Sequence, residues 1–197
     1  MRIIVGVSGA SGSVYGWRLL EKLRQSPSVE IHLVLTRAGE RTAYIEMGKT
    51  AADFRELAHF WYPTEDIGAK IASGSALIDA MAVAPCSIHS MSAIANGLSD
   101  NLLVRAADVT LKERRRLVLM VRESPLHLGH LRNMTALAEM GAIIAPPIPG
   151  FYHHPKSVEE IVDHSVDRVM DLLGLPPSDT TRWEGGSEPR TVGTIAK

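Results

Sequence analysis

Five stretches of this chain carry residue types that could do chemistry. The first is Gly6-Val7-Ser8-Gly9-Ala10-Ser11-Gly12, which follows an apolar run and precedes a helical pattern. Glycines let a backbone turn sharply and approach a ligand. The free N–H groups of a helix start, with the Ser8 and Ser11 hydroxyls, then suit a phosphate or the polar edge of a flavin. No Gly-Lys-Ser/Thr follows, so this is not a P-loop, and the G-x-G-x-x-G spacing of a dinucleotide site is missing. The next apolar run ends in Leu35-Thr36-Arg37 and offers no carboxylate for a ribose diol, which disfavours NAD. Arg37 could instead face the 2′-phosphate of NADP. A tight turn with no ligand is the bland alternative.

The second stretch is Pro85-Cys86-Ser87-Ile88-His89-Ser90. Ser87 suits a helix N-cap, and Ser87 and Ser90 could meet a phosphate there. Cys86 has no basic neighbour and reads as a small buried filler rather than a nucleophile. His89 lacks a second ligand at metal spacing. The third runs from Arg105 to Arg116. If it is helical, Arg105, Asp108 and Lys112 share a face, so Arg105 and Lys112 could grip one anion; a solvated, arginine-rich helix end is the alternative. The fourth, Arg122-Glu123-Ser124-Pro125, puts a charge pair at a strand end, either exposed or kept for a site. In the fifth, Pro146 to Pro149 set a rigid loop that could present Tyr152 inward. The adjacent His153 and His154 cannot both face one side of an extended segment, so a metal pair is disfavoured.

Positioning these stretches requires a parallel α/β sheet. Short Val/Ile/Leu-rich runs at Ile3–Val7, Glu30–Thr36, Ala80–Ala84, Leu117–Val121 and Ala142–Ala145 read as buried strands between segments of helical period. In the first such segment Val14, Trp17, Leu20 and Leu23 form a stripe, with Arg18, Glu21, Lys22 and Arg24 facing away. A helix is expected from Ser157 to Leu173, opened by a Ser157/Glu160 capping box and stopped by Gly174. Ala51 to Phe60 reads as helix inside a segment, Met47 to Ile71, that is a lid candidate. One domain is expected over residues 1–175, with 176–197 as a C-terminal arm.

Composition narrows the function classes. With 21 Lys+Arg against 22 Asp+Glu, the chain lacks the basic excess of a nucleic-acid or anionic-membrane surface. A single cysteine excludes an intrachain disulfide and a multi-thiolate zinc site, which suits a reducing compartment and makes cytoplasm the expected location. No apolar run is long enough to span a membrane, and no cleavable leader is evident.

Taken together, the motifs resemble the flavin prenyltransferase family, the UbiX-type proteins also described as accessory subunits of aromatic acid decarboxylases. The resemblance rests on Gly9-Ala10-Ser11-Gly12, Ala72-Ser73-Gly74-Ser75, Pro85-Cys86-Ser87, the run from Arg105 through Lys112, Arg122-Glu123-x-Pro125-Leu-His127 and Pro147-x-Pro149-x-Phe151-Tyr152. It implies a flavodoxin-like Rossmann fold and the alkylation of reduced FMN by dimethylallyl monophosphate, closing a ring across flavin N5 and C6. It implies that Gly9, Ala10, Ser11, Thr36, Ser87, Ile88, His89, Ser90 and Arg122 contact FMN. It also implies that Arg105, Lys112, Arg122, Tyr152 and Arg168 surround the prenyl phosphate, with Glu46 and Glu123 near the reacting centre and Ser11 near flavin N5. Such donors could stabilise a departing phosphate without a metal. Product transfer to a UbiD-type decarboxylase and a large homo-oligomer, often a dodecamer, are further implications. Ile67 stands where some relatives carry a tryptophan. Competing readings are a flavin-dependent cysteine decarboxylase, whose Pro-Ala-Ser-Ala-Asn-Thr signature is missing, and a non-enzymatic flavin-carrying subunit.

Overall fold

A computed structural model describes residues 1–177, so most of the expected arm, residues 178–197, lies outside the described residues. Six strands form one all-parallel sheet: β1 (Arg2–Val7), β2 (Glu30–Leu35), β3 (Phe60–Tyr62), β4 (Ala80–Cys86), β5 (Arg116–Val121) and β6 (Ile143–Ile144), in the order β3-β2-β1-β4-β5-β6. The order reverses between β1 and β4, so the crevice where such sheets take ligands lies beyond the carboxyl ends of these two strands. The fold is the α/β, flavodoxin-like Rossmann arrangement the motifs implied.

Among the described residues, seven α-helices cover the sheet: α1 (Ser13–Arg24), α2 (Arg37–Met47), α3 (Ala51–Glu56), α4 (Ile88–Ala95), α5 (Leu102–Lys112), α6 (Leu128–Glu139) and α7 (Val158–Leu173). Successive strand residues point to opposite faces, and both faces are apolar. Ile3, Val5, Ile31, Leu33, Val118 and Met120 pack under α1, α3 and α7. Ile4, Val34, Met81, Val83, Leu117 and Leu119 pack under α4, α5 and α6.

The structure departs from the sequence expectations at five points. The α1 stripe is Gly16, Leu19, Leu20 and Leu23, with Val14 and Trp17 only half-buried at its margin. Arg18 and Lys22 do not face water but pair with Asp163 and Asp167 of α7. The hydrogen bond to Asp163, and then that to Glu21, raise the Arg18 pKa above its ordinary value. Helix α2 was not expected, because only Gly39 and Ala43 of its eleven residues are buried and so small a stripe carries little hydrophobic period. The residues 47–71 are no lid: α3 buries Phe54 completely, β3 pairs with β2, and Ile71 is 1% exposed. Ser157 caps α7 by accepting from the Glu160 N–H at 3.2 Å, while the Glu160 carboxylate takes the Lys156 N–H instead of closing the capping box.

Candidate active site

At the carboxyl edge, β1 turns through Ser8–Gly12 into α1. Ser8 is 1% exposed; its hydroxyl donates to the Pro85 carbonyl at 2.8 Å and accepts from the Ser87 N–H at 2.7 Å. Ser8 therefore joins the two loops that flank the crevice and does not face a ligand as expected. Ser11 remains exposed. Gly12 adopts the left-handed region with φ 95°, which an L side chain enters only with strain. This turn aims the Gly12 and Ser13 N–H groups at the Glu46 carboxylate, at 3.0 and 2.8 Å. Glu46, from the last turn of α2, thus sits at the partly positive start of α1. Partial burial pushes its carboxyl up, but hydrogen bonds from the Ser11 hydroxyl and the Ser13 and Gly12 N–H groups prevail and hold it below the usual carboxylate value.

The neighbouring loops complete this edge. Thr36, expected as the end of β2, is the N-cap of α2 and accepts from the Gly39 N–H at 3.0 Å, leaving its hydroxyl proton to donate. Ser87 caps α4 as expected, accepting from the Ser90 N–H and donating to the Ser90 hydroxyl, both at 3.2 Å. On the first turn of α4, His89 is exposed, Ile88 is half-buried and Ser90 is buried. The Arg122 N–H donates to the Cys86 carbonyl at 3.1 Å. Burial pushes the Tyr15 phenol of α1 up, opposed by the positive charge of Arg122. The sequence reading did not single out Tyr15, which lies within electrostatic reach of Arg122. Glu123 is exposed, and its carboxylate takes the Ser124 N–H at 3.0 Å.

Arg105 and Lys112, read from the sequence as able to grip one anion, each have a carboxylate partner within this chain. Arg105 pairs with Asp108 at 2.8 Å, and Lys112 pairs with Glu113. Lys112 lies four residues before β5 begins, so it belongs to the amino edge of the sheet, opposite Arg122. There it borders the Ala72-Ser73-Gly74-Ser75 element, whose Gly74 carbonyl accepts from Arg115 at 2.8 Å. Arg168 is on α7, three residues before Asp171 and 3.6 Å from it. Tyr152 hydrogen-bonds His164 of α7 at 2.8 Å. Each helix supplies its cation a carboxylate three residues or fewer away, so these heads point along the surface.

Cys86 is completely buried, and burial pushes its thiol up to about 12. It is a core residue, as expected. A thiol reagent such as DTNB is expected to leave it unmodified in the native protein and to titrate it stoichiometrically after denaturation; rapid native reaction would contradict this burial.

Gly9, Ala10, Ser11, Thr36, Ser87, Ile88, His89, Ser90 and Arg122 all stand on segments that follow the carboxyl ends of β1, β2, β4 and β5, with Glu46 brought to the start of α1. Small residues at the starts of α1 and α4, with the Arg122 charge nearby, make a donor set that fits a flavin and its phosphate. Among the described residues, no group of three His, Cys, Asp or Glu is placed to hold a metal ion.

These features agree with the family the chain falls into: the Flavoprotein family model matches residues 1–170. More narrowly, it is 50% identical over 188 residues to the flavin prenyltransferase UbiX of Thauera aromatica, covering 95% of this chain and 96% of that one. The dodecameric FMN-dependent UbiX-like decarboxylase from Escherichia coli O157:H7 matches the fold with a TM-score of 0.92 and 46% identity, over 94% of this chain and all (100%) of the other. AnUbiX (PadA1), solved with FMN and dimethylallyl pyrophosphate, matches with a TM-score of 0.91 and 43% identity, over 94% and 98%. The chain belongs to the flavin prenyltransferase family, a family of enzymes and the one its motifs resemble. No described helix is long and apolar enough to cross a membrane.

Proposed function

We propose that this protein is a flavin prenyltransferase that moves the dimethylallyl group of dimethylallyl monophosphate onto N5 and C6 of reduced FMN. The observation that carries this reading is that the Gly9–Gly12 loop with Glu46, and the Ser87 loop with the Arg122 backbone, are hydrogen-bonded together at the carboxyl edge of the sheet. Gly9, Ala10, Ser11, Thr36, Ser87, Ile88, His89, Ser90 and Arg122 would hold FMN there, which in its reduced form supplies the nucleophilic ring positions.

Arg105, Lys112, Arg122, Tyr152 and Arg168 would receive the prenyl phosphate. As its allylic C–O bond breaks, the electron pair leaves with the phosphate, and these donors meet the growing charge where a divalent metal otherwise would. Because one chain spreads these groups over both edges of its sheet, the site is completed where copies meet; the dodecameric relative supports such an assembly. Glu46 and Glu123 are the carboxylates near the reacting centre, and Ser11, hydrogen-bonded to Glu46, is the hydroxyl beside flavin N5. The product would pass to a UbiD-type decarboxylase, and the single buried thiol suits a cytoplasmic enzyme.

The test mixes purified protein, reduced FMN and dimethylallyl monophosphate or diphosphate without oxygen or added metal, then reads the flavin by mass spectrometry. Gain of one prenyl unit is expected. Lys112→Ala should weaken prenyl phosphate binding about tenfold and leave FMN bound, the size of one charge-assisted hydrogen bond. Unmodified flavin from the folded protein would instead favour a carrier subunit.

A further inference from the structure

We infer that the hydrogen-bonded series Glu30, His32 and Tyr62 is an acid-sensitive latch: uptake of a proton by His32 loosens the edge strand β3 and the segment after it. Strand β3 is three residues long, lies at the edge of the sheet against β2, and leaves Phe60 and Trp61 exposed. Two of its three side chains rest on one imidazole. Phe60 stacks on His32 at 5.1 Å and 20°, and Tyr62 at 5.9 Å and 17°. The Tyr62 hydroxyl lies 2.9 Å from His32 Nδ1, and His32 Nε2 lies 3.0 Å from Glu30 Oε1. The His32 residue is only 3% exposed.

These partners fix where the protons are. The hydrogen bond from His32 outweighs burial and holds the Glu30 carboxyl below its usual value, so it is ionised at neutral pH. An ionised carboxylate only accepts. Nε2 therefore carries the imidazole proton, and in the neutral ring Nδ1 accepts from the phenol. A further proton removes that acceptor: Nδ1–H then points at a phenol that was donating, and the new charge sits almost out of reach of water. The charged and titratable groups acting on the ring are Arg2 of β1, Glu30 of β2, Tyr62 of β3 and Lys70 from the segment after β3. Arg2 is itself 3.2 Å from the Glu30 oxygen that His32 uses. Burial lowers the His32 pKa; the hydrogen bond and charge of Glu30 oppose it, and Lys70 and Arg2 lower it further. With the native value below the unfolded one, the latch holds fully above the ordinary histidine range and fails as pH falls through the lowered value.

What the latch holds extends beyond β3. The Thr64 carbonyl takes the Leu102 N–H at the start of α5 at 2.7 Å, and the Gly74 carbonyl takes Arg115 at 2.8 Å. Ile71 and Ala72 are buried in the core shared with α5. Loosening at Tyr62 thus reaches the Ala72–Ser75 element beside Lys112.

Hydrogen exchange of the full-length protein, read by mass spectrometry in steps from about pH 8 to about pH 4.5 and corrected for the chemical exchange rate, tests this. Protection of residues 58–75 is expected to fall about tenfold in acid relative to β1 and β4, the size of one buried hydrogen bond. The double variant His32→Phe/Tyr62→Phe replaces both partners by rings of similar shape and leaves nothing there to titrate, so its segment should stay protected across the range. Glu30→Gln keeps an acceptor for the Nε2 proton but removes the charge that favours a second one, so the fall should move to lower pH. Constant protection in the unaltered protein, or the same fall in the double variant, would overturn the inference. If the double variant melts early, Glu30→Gln decides: a fall that stays in place or moves to higher pH overturns it.

Discussion

Glu46→Gln is expected to lower turnover roughly a hundredfold while FMN affinity changes only a few-fold, the range that a positioned acid–base group supplies. The two effects separate because the amide keeps one oxygen for the Gly12 and Ser13 N–H groups, so the loop that borders the flavin crevice retains its shape. What is lost is the negative charge between Ser11 and the start of α1. Single-turnover mass spectrometry of the flavin checks this, and turnover within threefold of the unaltered protein would remove Glu46 from the chemistry.

The same variant predicts a pH signature of stability. The Glu46 carboxyl is held below its unfolded value, so it binds its proton less readily in the native protein. Its stabilisation is therefore complete above the ordinary carboxylate range and is lost as pH falls through the lowered value. The melting curves of the unaltered protein and Glu46→Gln should differ at neutral pH and converge in acid. A difference that persists unchanged in strong acid would show that the ionised carboxylate is not what holds the loop.

Gly16→Ala should destabilise the protein by about 3 kcal/mol, a fall in melting temperature of roughly 6–12 °C for a chain of this size. A Cβ at this position would stand 2.2 Å from the Ala84 carbonyl oxygen, a backbone atom of a central strand that cannot swing aside. Helix α1 would have to lift from β4, carrying with it the Gly12 and Ser13 N–H groups that face Glu46. Weaker FMN binding should therefore accompany the lower melting temperature. A variant as stable as the parent would mean that α1 does not approach the sheet this closely.

How much of this was legible beforehand differs by element. Five of the six strands are readable because residues buried on both faces leave continuous Val/Ile/Leu runs. Strand β3 was not, because three aromatic residues at a sheet edge, two of them exposed, have neither the length nor the alternation of a strand. The flavin loops were readable from local signals, glycines and serines just after strands. Tyr15 was not, since an aromatic on a helix face looks like core until the charge of Arg122 is found to act on it. His32 carried no signal, since a single histidine in an apolar strand becomes meaningful only when an edge strand lays Tyr62 against it.

The order of residues alone thus determined the parallel α/β class, the placing of serines and glycines at strand ends, and the inert character of Cys86, because period, capping and cysteine chemistry are properties of neighbours along the chain. Only the tertiary structure decided that Ser8 is a staple and that Glu46 occupies the start of α1. The physical reason is range: a hydrogen bond or ion pair is settled within about 3 Å, and which groups come that close depends on how distant segments cross, which no local pattern records.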